Sequence, residues 1–276
     1  MKIIALFFVF NFLFAASFKL TNADNMAPEQ AAILKNHIAD FEKKLMSHFG
    51  VRKSRITDIE LILDAEGYRF VEWGVGFYAL KDKKIYLLQK RMRDWDAFLI
   101  VLRHEMVHAY ADYFCADSLF WPLWFEEGLA QYLSGKNITF TDAQKLSTAI
   151  AGKNILEARE LLRMPDTRFR VELYYLQSLF IVERLAAMNK LEEFMQIKDW
   201  SPQSQIPSPW RDWIDFEIWW QSLLQEEYRW FVLLNFNVII PISFGIIFLI
   251  VYIIKLHENK KRLLDLSVQE EEQSGE

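Results

Sequence analysis

Apolar residues recur at Leu34, Ile38, Phe41, Leu45 and Phe49, the three-and-four spacing that lays a stripe along one helical face, so Ala27–Phe49 is predicted to be an amphipathic helix. Pro28 opens it and Gly50 closes it. His37 and His48 fall off the stripe and are expected to face solvent. The period then shortens. Ile56–Leu63 is a brief β-branched and aliphatic run of strand type, and Phe70–Leu80 and Ile85–Gln89 read as two further strands joined by Lys81-Asp82-Lys83-Lys84, a turn expected to be a solvated hairpin tip. Trp95–Phe114 contains neither Pro nor Gly and returns to helix. Pro122 must end that element and let the chain turn back, with a second helix starting near Trp124 and closing at Ser134-Gly135-Lys136.

Asp142–Arg163 is predicted helical with a break near Gly152, and Leu173–Ala187 forms another amphipathic helix. Trp210, Trp213, Phe216, Trp219, Trp220, Leu223 and Leu224 admit two readings, an interfacial belt or the last helix of the folded domain. The second is preferred, with Tyr228 and Trp230 as the belt.

The two ends follow other patterns. Residues 1–17 open with Lys2, continue as an apolar core too short to span a bilayer, and end in small residues, as a secretory signal does; cleavage after Ser17 or after Ala23 is equally arguable. Phe231–Ile254 is 24 residues without a charge, long enough for a hydrocarbon layer of about 30 Å. Lys255, Lys260, Lys261 and Arg262 follow it, so the basic excess puts the C-terminus (255–276) in the cytoplasm and the domain at 24–228 outside, in a periplasm, a lumen or the cell exterior. The acidic end Glu270-Glu271-Glu272 is expected to be solvated and disordered.

Roughly 200 residues remain for one extracytoplasmic domain, enough for a sizeable core. The formal charge of −5 speaks against nucleic acid as a partner. Cys115 is the only cysteine, so no intrachain disulfide holds the fold, and it reads as a small buried residue. Asn137-Ile138-Thr139 matches a glycosylation sequon, which matters only in a eukaryotic host.

Chemistry enters at Arg103-His104-Glu105-Met106-Val107-His108. On a helix His104 and His108 leave one face a turn apart, where a single Zn²⁺ can take a nitrogen from each. Glu105 is rotated by about 100° and lies beside the ion, placed to accept a proton from water. The second helix brings Glu127 to the open side, completing two imidazoles, one carboxylate and an exchangeable position. Glu126 is the rival third ligand. Gln131, a turn beyond Glu127, either holds the outer nitrogen of a ligand histidine or is an ordinary polar helix residue.

His104-Glu105-x-x-His108, 18 residues, then Trp124-x-x-Glu127-Gly128-x-Ala130 resembles the gluzincin metallopeptidases, and more closely the small peptidase MA-like group than the large aminopeptidases. The resemblance covers about Ile56 to Trp230. It implies an α+β, zincin-like metallopeptidase domain, with His104, His108 and Glu127 as zinc ligands and Glu105 as general base. Tyr175-Leu176-Gln177-Ser178 resembles a recurring Y-x-Q-S segment of that group, in which a tyrosine near the zinc donates to the oxyanion; register favours Tyr175 over Tyr174. A hairpin strand before the active-site helix would pair with the substrate backbone. The aminopeptidases' G-x-M-E-N motif is replaced by Gly74-Val75-Gly76-Phe77-Tyr78, without an acidic anchor, which argues either for internal cleavage of a peptide or protein or for a substrate of another kind. Competing expectations are a membrane-bound binding or scaffold protein of the same fold without turnover, and a metal site serving a non-peptide substrate.

Overall fold

The computed structural model describes residues 18–21, 27–50, 57–62, 75–88, 94–115, 120–201, 203–234 and 236–274. The expected leader lies outside the described residues, as do residues 70–74 and 89 of the expected strands. The chain is mainly helical with one small sheet and a long apolar helix at its C-terminal end. Its order is β1 (Phe18–Thr21), α1 (Pro28–Phe49), β2 (Thr57–Ile62), β3 (Gly76–Ala79), β4 (Lys84–Leu88), α2 (Trp95–Cys115), α3 (Leu123–Ser134), α4 (Phe140–Ala151), α5 (Arg168–Ala187), α6 (Leu191–Met195), α7 (Trp213–Tyr228), a 3-10 helix (Arg229–Leu234) and α8 (Phe236–Ser274). It divides into two compact units. One holds the described residues up to Ile138 together with Leu156–Trp220, the other Thr139–Ile155 and the residues from Gln221.

In the first unit the sheet runs β1-β2-β4-β3, the first three strands parallel and β3 antiparallel on β4. β4 is apolar at consecutive positions because it is buried on both faces: Ile85, Tyr86, Leu87 and Leu88 are all buried. On one face Phe77 stacks on Tyr86 at 5.0 Å. α2 packs against β3 and β4, and α1 packs on α2. The predicted stripe of α1 is buried at all five positions, Pro28 sits in its first turn, and Gly50 takes the left-handed conformation, φ 63°, that closes a helix. β1 was not expected. It pairs with β2 from Phe18↔Thr57 to Thr21↔Glu60, immediately after the first of the two arguable cleavage points.

Edge strand β3 is pinned to α2. Tyr78 donates its hydroxyl hydrogen to Asp112 at 2.9 Å, and Lys83 makes an ion pair with the same carboxylate. Lys84 lies 3.5 Å from Glu60. The hairpin tip, residues 81–83, is exposed as expected, and Lys83 and Lys84 add ion pairs that hold the strands.

The tryptophan-rich stretch is core. Trp220, Phe194 and Phe125 are fully buried, with ring centroids 5.3 Å apart for Phe194 and Phe216 and 5.0 Å apart for Phe125 and Trp200. This aromatic mass lies behind α3, and the reading of the stretch as a helix of the folded domain stands. The segment after Gly152 is not helical as predicted. Its backbone bonds go to side chains: the Gln177 amide accepts from Leu156 N–H at 2.9 Å and donates to Leu156 C=O at 3.1 Å, and Glu217 accepts from Ala158 N–H.

In the second unit, Thr139 and Asp142 form a reciprocal capping box at the start of α4, so the sequon hydroxyl is engaged in a helix cap. The 3-10 helix packs on α4, with Phe231 against Phe140 at 5.9 Å and Ser147 donating to Arg229 C=O at 3.2 Å. The apolar span is consequently shifted. Ile239–Lys261, 23 residues, is long and apolar enough to cross a membrane, whereas Phe231 belongs to the 3-10 helix. From Ile240 to Leu256 its large hydrophobic side chains are exposed. The helix continues to Ser274 rather than giving way to a disordered tail, consistent with a sequence free of Pro and Gly from Ile246 to Ser274.

Candidate metal centre

α2 is buried around most of its circumference, including Leu102, Met106, Val107 and Ala111, which fixes its rotation and sets His104 and His108 toward α3. α3 begins where Pro122, in extended conformation, offers its carbonyl to Phe125 and Glu126 N–H, and ends at Gly135, φ 82°. Against α5 it approaches very closely. A Cβ on Gly128 would lie 2.3 Å from Ser178 C=O and 2.7 Å from Val182 Cγ2, so only glycine fits beside Glu127.

The three donor atoms form a near-regular triangle. His104 Nε2 and His108 Nε2 are 3.1 Å apart, and Glu127 Oε2 lies 3.3 Å from the first and 3.6 Å from the second. Donor atoms about 2.0–2.1 Å from a common tetrahedral centre are about 3.3–3.4 Å from one another, the mean of these separations. Glu127 Oε2 is buried and makes no hydrogen bond despite these neighbours. It aims at the shared centre instead of at either imidazole. His104, His108 and Glu127 therefore form a group able to hold a metal ion.

Electrostatics of the bare group agree with that. Burial disfavours the charged form of His108, but Glu127, Glu126 and Glu105 outweigh it and hold the imidazolium well above its ordinary range. Burial likewise pushes Glu127 up, and His108 and His104 reverse it, leaving its carboxyl well below the usual range. Glu105 behaves differently. Burial raises its carboxyl, partly offset by His104, His108 and the Tyr78 N–H that donates to it.

Glu126 stands outside the donor triangle. Its Oε1 lies 2.9 Å from His108 Nδ1, so it fixes the ring and leaves Nε2 facing the centre. Gln131 does not take that part: its amide donates to Tyr175 C=O on α5 at 2.8 Å, tying the helices together. Of the two readings open for Gln131, it does not hold a histidine; the adjacent carboxylates of α3, about 100° apart, were the signal for Glu126 in that place. Glu126→Ala is expected to lower metal affinity about 10- to 100-fold without abolishing binding, measured by competition with a chromophoric chelator.

Tyr175 lines a cleft of about 310 Å³ together with His104 and Glu105, where burial and the charges of Glu127 and Glu105 keep its phenol protonated. Tyr174 is fully buried and, among the described residues, its hydroxyl has no hydrogen-bond partner. The remaining histidines of α1 are apart from this group. His37 and His48 are half-buried rather than exposed, each with a buried Nε2 lacking a partner, and burial lowers both. Cys115 is half-buried, and burial with Glu126 and Asp112 nearby pushes its thiol up to about 12, so it stays an unreactive thiol at neutral pH. No family model, curated protein or solved structure matches this chain.

Proposed function

We propose that this chain is a membrane-tethered zinc metallopeptidase with a zincin-like domain, His104, His108 and Glu127 as ligands and Glu105 as general base. The observation that carries the reading is the triangle of donor atoms with edges of 3.1, 3.3 and 3.6 Å, beside a buried carboxylate that is not part of it. Two imidazoles and one carboxylate leave a position open in a tetrahedral set, the donor pattern of catalytic rather than structural zinc.

Zinc held there supplies Lewis acidity to a peptide carbonyl and lowers the pKa of water toward about 7. Glu105 takes the proton from the attacking water and passes it to the leaving amine nitrogen, so that the C–N bond breaks as a carboxylic acid and an amine form. Its raised carboxyl suits a group that must both accept and return a proton. Tyr175 donates its phenolic hydrogen to the oxyanion that develops on the carbonyl oxygen. Glu126 keeps His108 in register through Nδ1.

Substrate binding by strand addition has support in β3. Val75 C=O accepts from Leu88 N–H, so Val75, Phe77 and Ala79 direct their backbone toward β4, and Gly76 directs its own to the outer edge of the described strands, where the Tyr78 N–H is already held by Glu105. Val75 and Gly76 line the same cleft as His104 and Glu105. An extended peptide laid along that edge gains backbone hydrogen bonds whatever its side chains. α8 tethers the domain through Ile239–Lys261, with the basic flank in the cytoplasm and the metal group outside.

The test is hydrolysis of a peptide library by the detergent-solubilised full chain. Cleavage that stops on removal of metal with a chelator and returns with zinc is expected. Equal cleavage in chelator and in zinc would overturn the reading.

A further inference from the structure

The cleft beside the metal group has an uneven lining. Its apolar lining includes Val75, Ile100 and Val101. Of its polar groups, Gln131 gives its amide to Tyr175 C=O and Ser134 gives its hydroxyl to Gln131 C=O, so both donors are committed within the protein. Glu105 and His104 belong to the reaction. Lys136 is left. It follows Gly135 at the end of α3, its N–H held by Gln131 C=O at 3.1 Å, and it is half-buried. Among the described residues its ammonium has neither an ion pair nor a hydrogen bond, unlike Lys43, Lys83, Lys84 and Lys190, which all pair with carboxylates.

We infer that Lys136 is a specificity-determining residue, and that the cleft selects peptides carrying a carboxylate close to the scissile bond. A lysine on a cleft also lined by Val75, Ile100 and Val101 attracts an anion there more strongly than it would in open water. The described lining holds no second cation. Among the described lining residues the only carboxylate is Glu105, which the reaction uses, and the cation open to a substrate acid is Lys136. Ammonium recognises a carboxylate as a point charge, whether it is an Asp or Glu side chain or a free C-terminus.

This inference rests on the peptidase reading for its substrate class, but the two fail separately. The probes are four versions of one peptide, with Glu or Gln at a single position beside the cleaved bond and with a free or an amidated C-terminus. Cleavage is followed with the zinc-loaded full chain, and binding with the Glu105→Gln full chain by fluorescence anisotropy. Expected for the wild type is a preference of about tenfold for the carboxylate-bearing versions. A preference that follows the Glu/Gln pair assigns the side chain as the source, and one that follows amidation assigns the C-terminus. Lys136→Arg should keep the ratio, Lys136→Met bring it near unity, and Lys136→Glu invert it. Charge-selective binding without cleavage would sink the peptidase reading and leave this one. Equal handling of acid and amide by the wild type, a ratio unmoved by Lys136→Glu, or no binding of any probe would overturn it.

Discussion

Glu105→Gln is expected to keep its zinc and to lose hydrolysis by about 100- to 10,000-fold, the range that a positioned proton acceptor contributes. The substitution changes little else. Glutamine has the same shape, its carbonyl oxygen still accepts the Tyr78 N–H, and the ligand triangle of His104, His108 and Glu127 does not include it. Metal content and melting temperature should match the wild type, and only turnover should fall. An activity loss accompanied by loss of metal would make Glu105 a structural residue. Full activity with metal in place would remove it from the mechanism.

Gly128→Ala carries the other large effect, and it acts on structure. The new Cβ meets Ser178 C=O at 2.3 Å, and a backbone carbonyl inside a helix cannot rotate away. α3 and α5 must separate, at a cost of about 3 kcal/mol for overpacking a close contact. Glu127, one residue earlier on α3, moves with the helix, so zinc affinity is expected to fall along with the melting temperature. The Val182→Ala background relieves the second clash, at 2.7 Å, but not the first. Gly128→Ala/Val182→Ala should therefore remain defective in both measurements. A double variant with wild-type metal affinity would show that the Ser178 contact does not set the position of Glu127.

Local rules reached far into this chain. Pro28, Gly50, Pro122 and Gly135 stand at the helix ends where the sequence predicted ends, and the stripe of α1 is buried at each expected position. Two histidines one turn apart needed only helical geometry to share a face. What lay beyond local rules depended on neighbours distant in sequence. Leu156 and Ala158 bond to Gln177 and Glu217 instead of continuing a helix, a choice invisible until α5 and α7 pack. Strand β1 is four residues long and owes its conformation to pairing with β2. Which of Glu126 and Glu127 joins the donor triangle, and which of Tyr174 and Tyr175 lines the cleft, depends on how α3 and α5 are rotated, and the Gly128–Ser178 contact fixes their approach. The Y-x-Q-S segment gains a physical reading from the same packing: Tyr175 faces the cleft, Gln177 holds Leu156, and the Ser178 carbonyl backs Gly128.

Closure of three side chains around one cation is tested most directly by X-ray absorption at the zinc edge on the purified full-length chain. The expected result is one zinc per chain in a four-coordinate shell containing two imidazole nitrogens and carboxylate oxygen, with that shell lost in Glu127→Ala. A wild-type protein that retains no zinc at neutral pH, or a Glu127→Ala variant that retains the same shell, would contradict it.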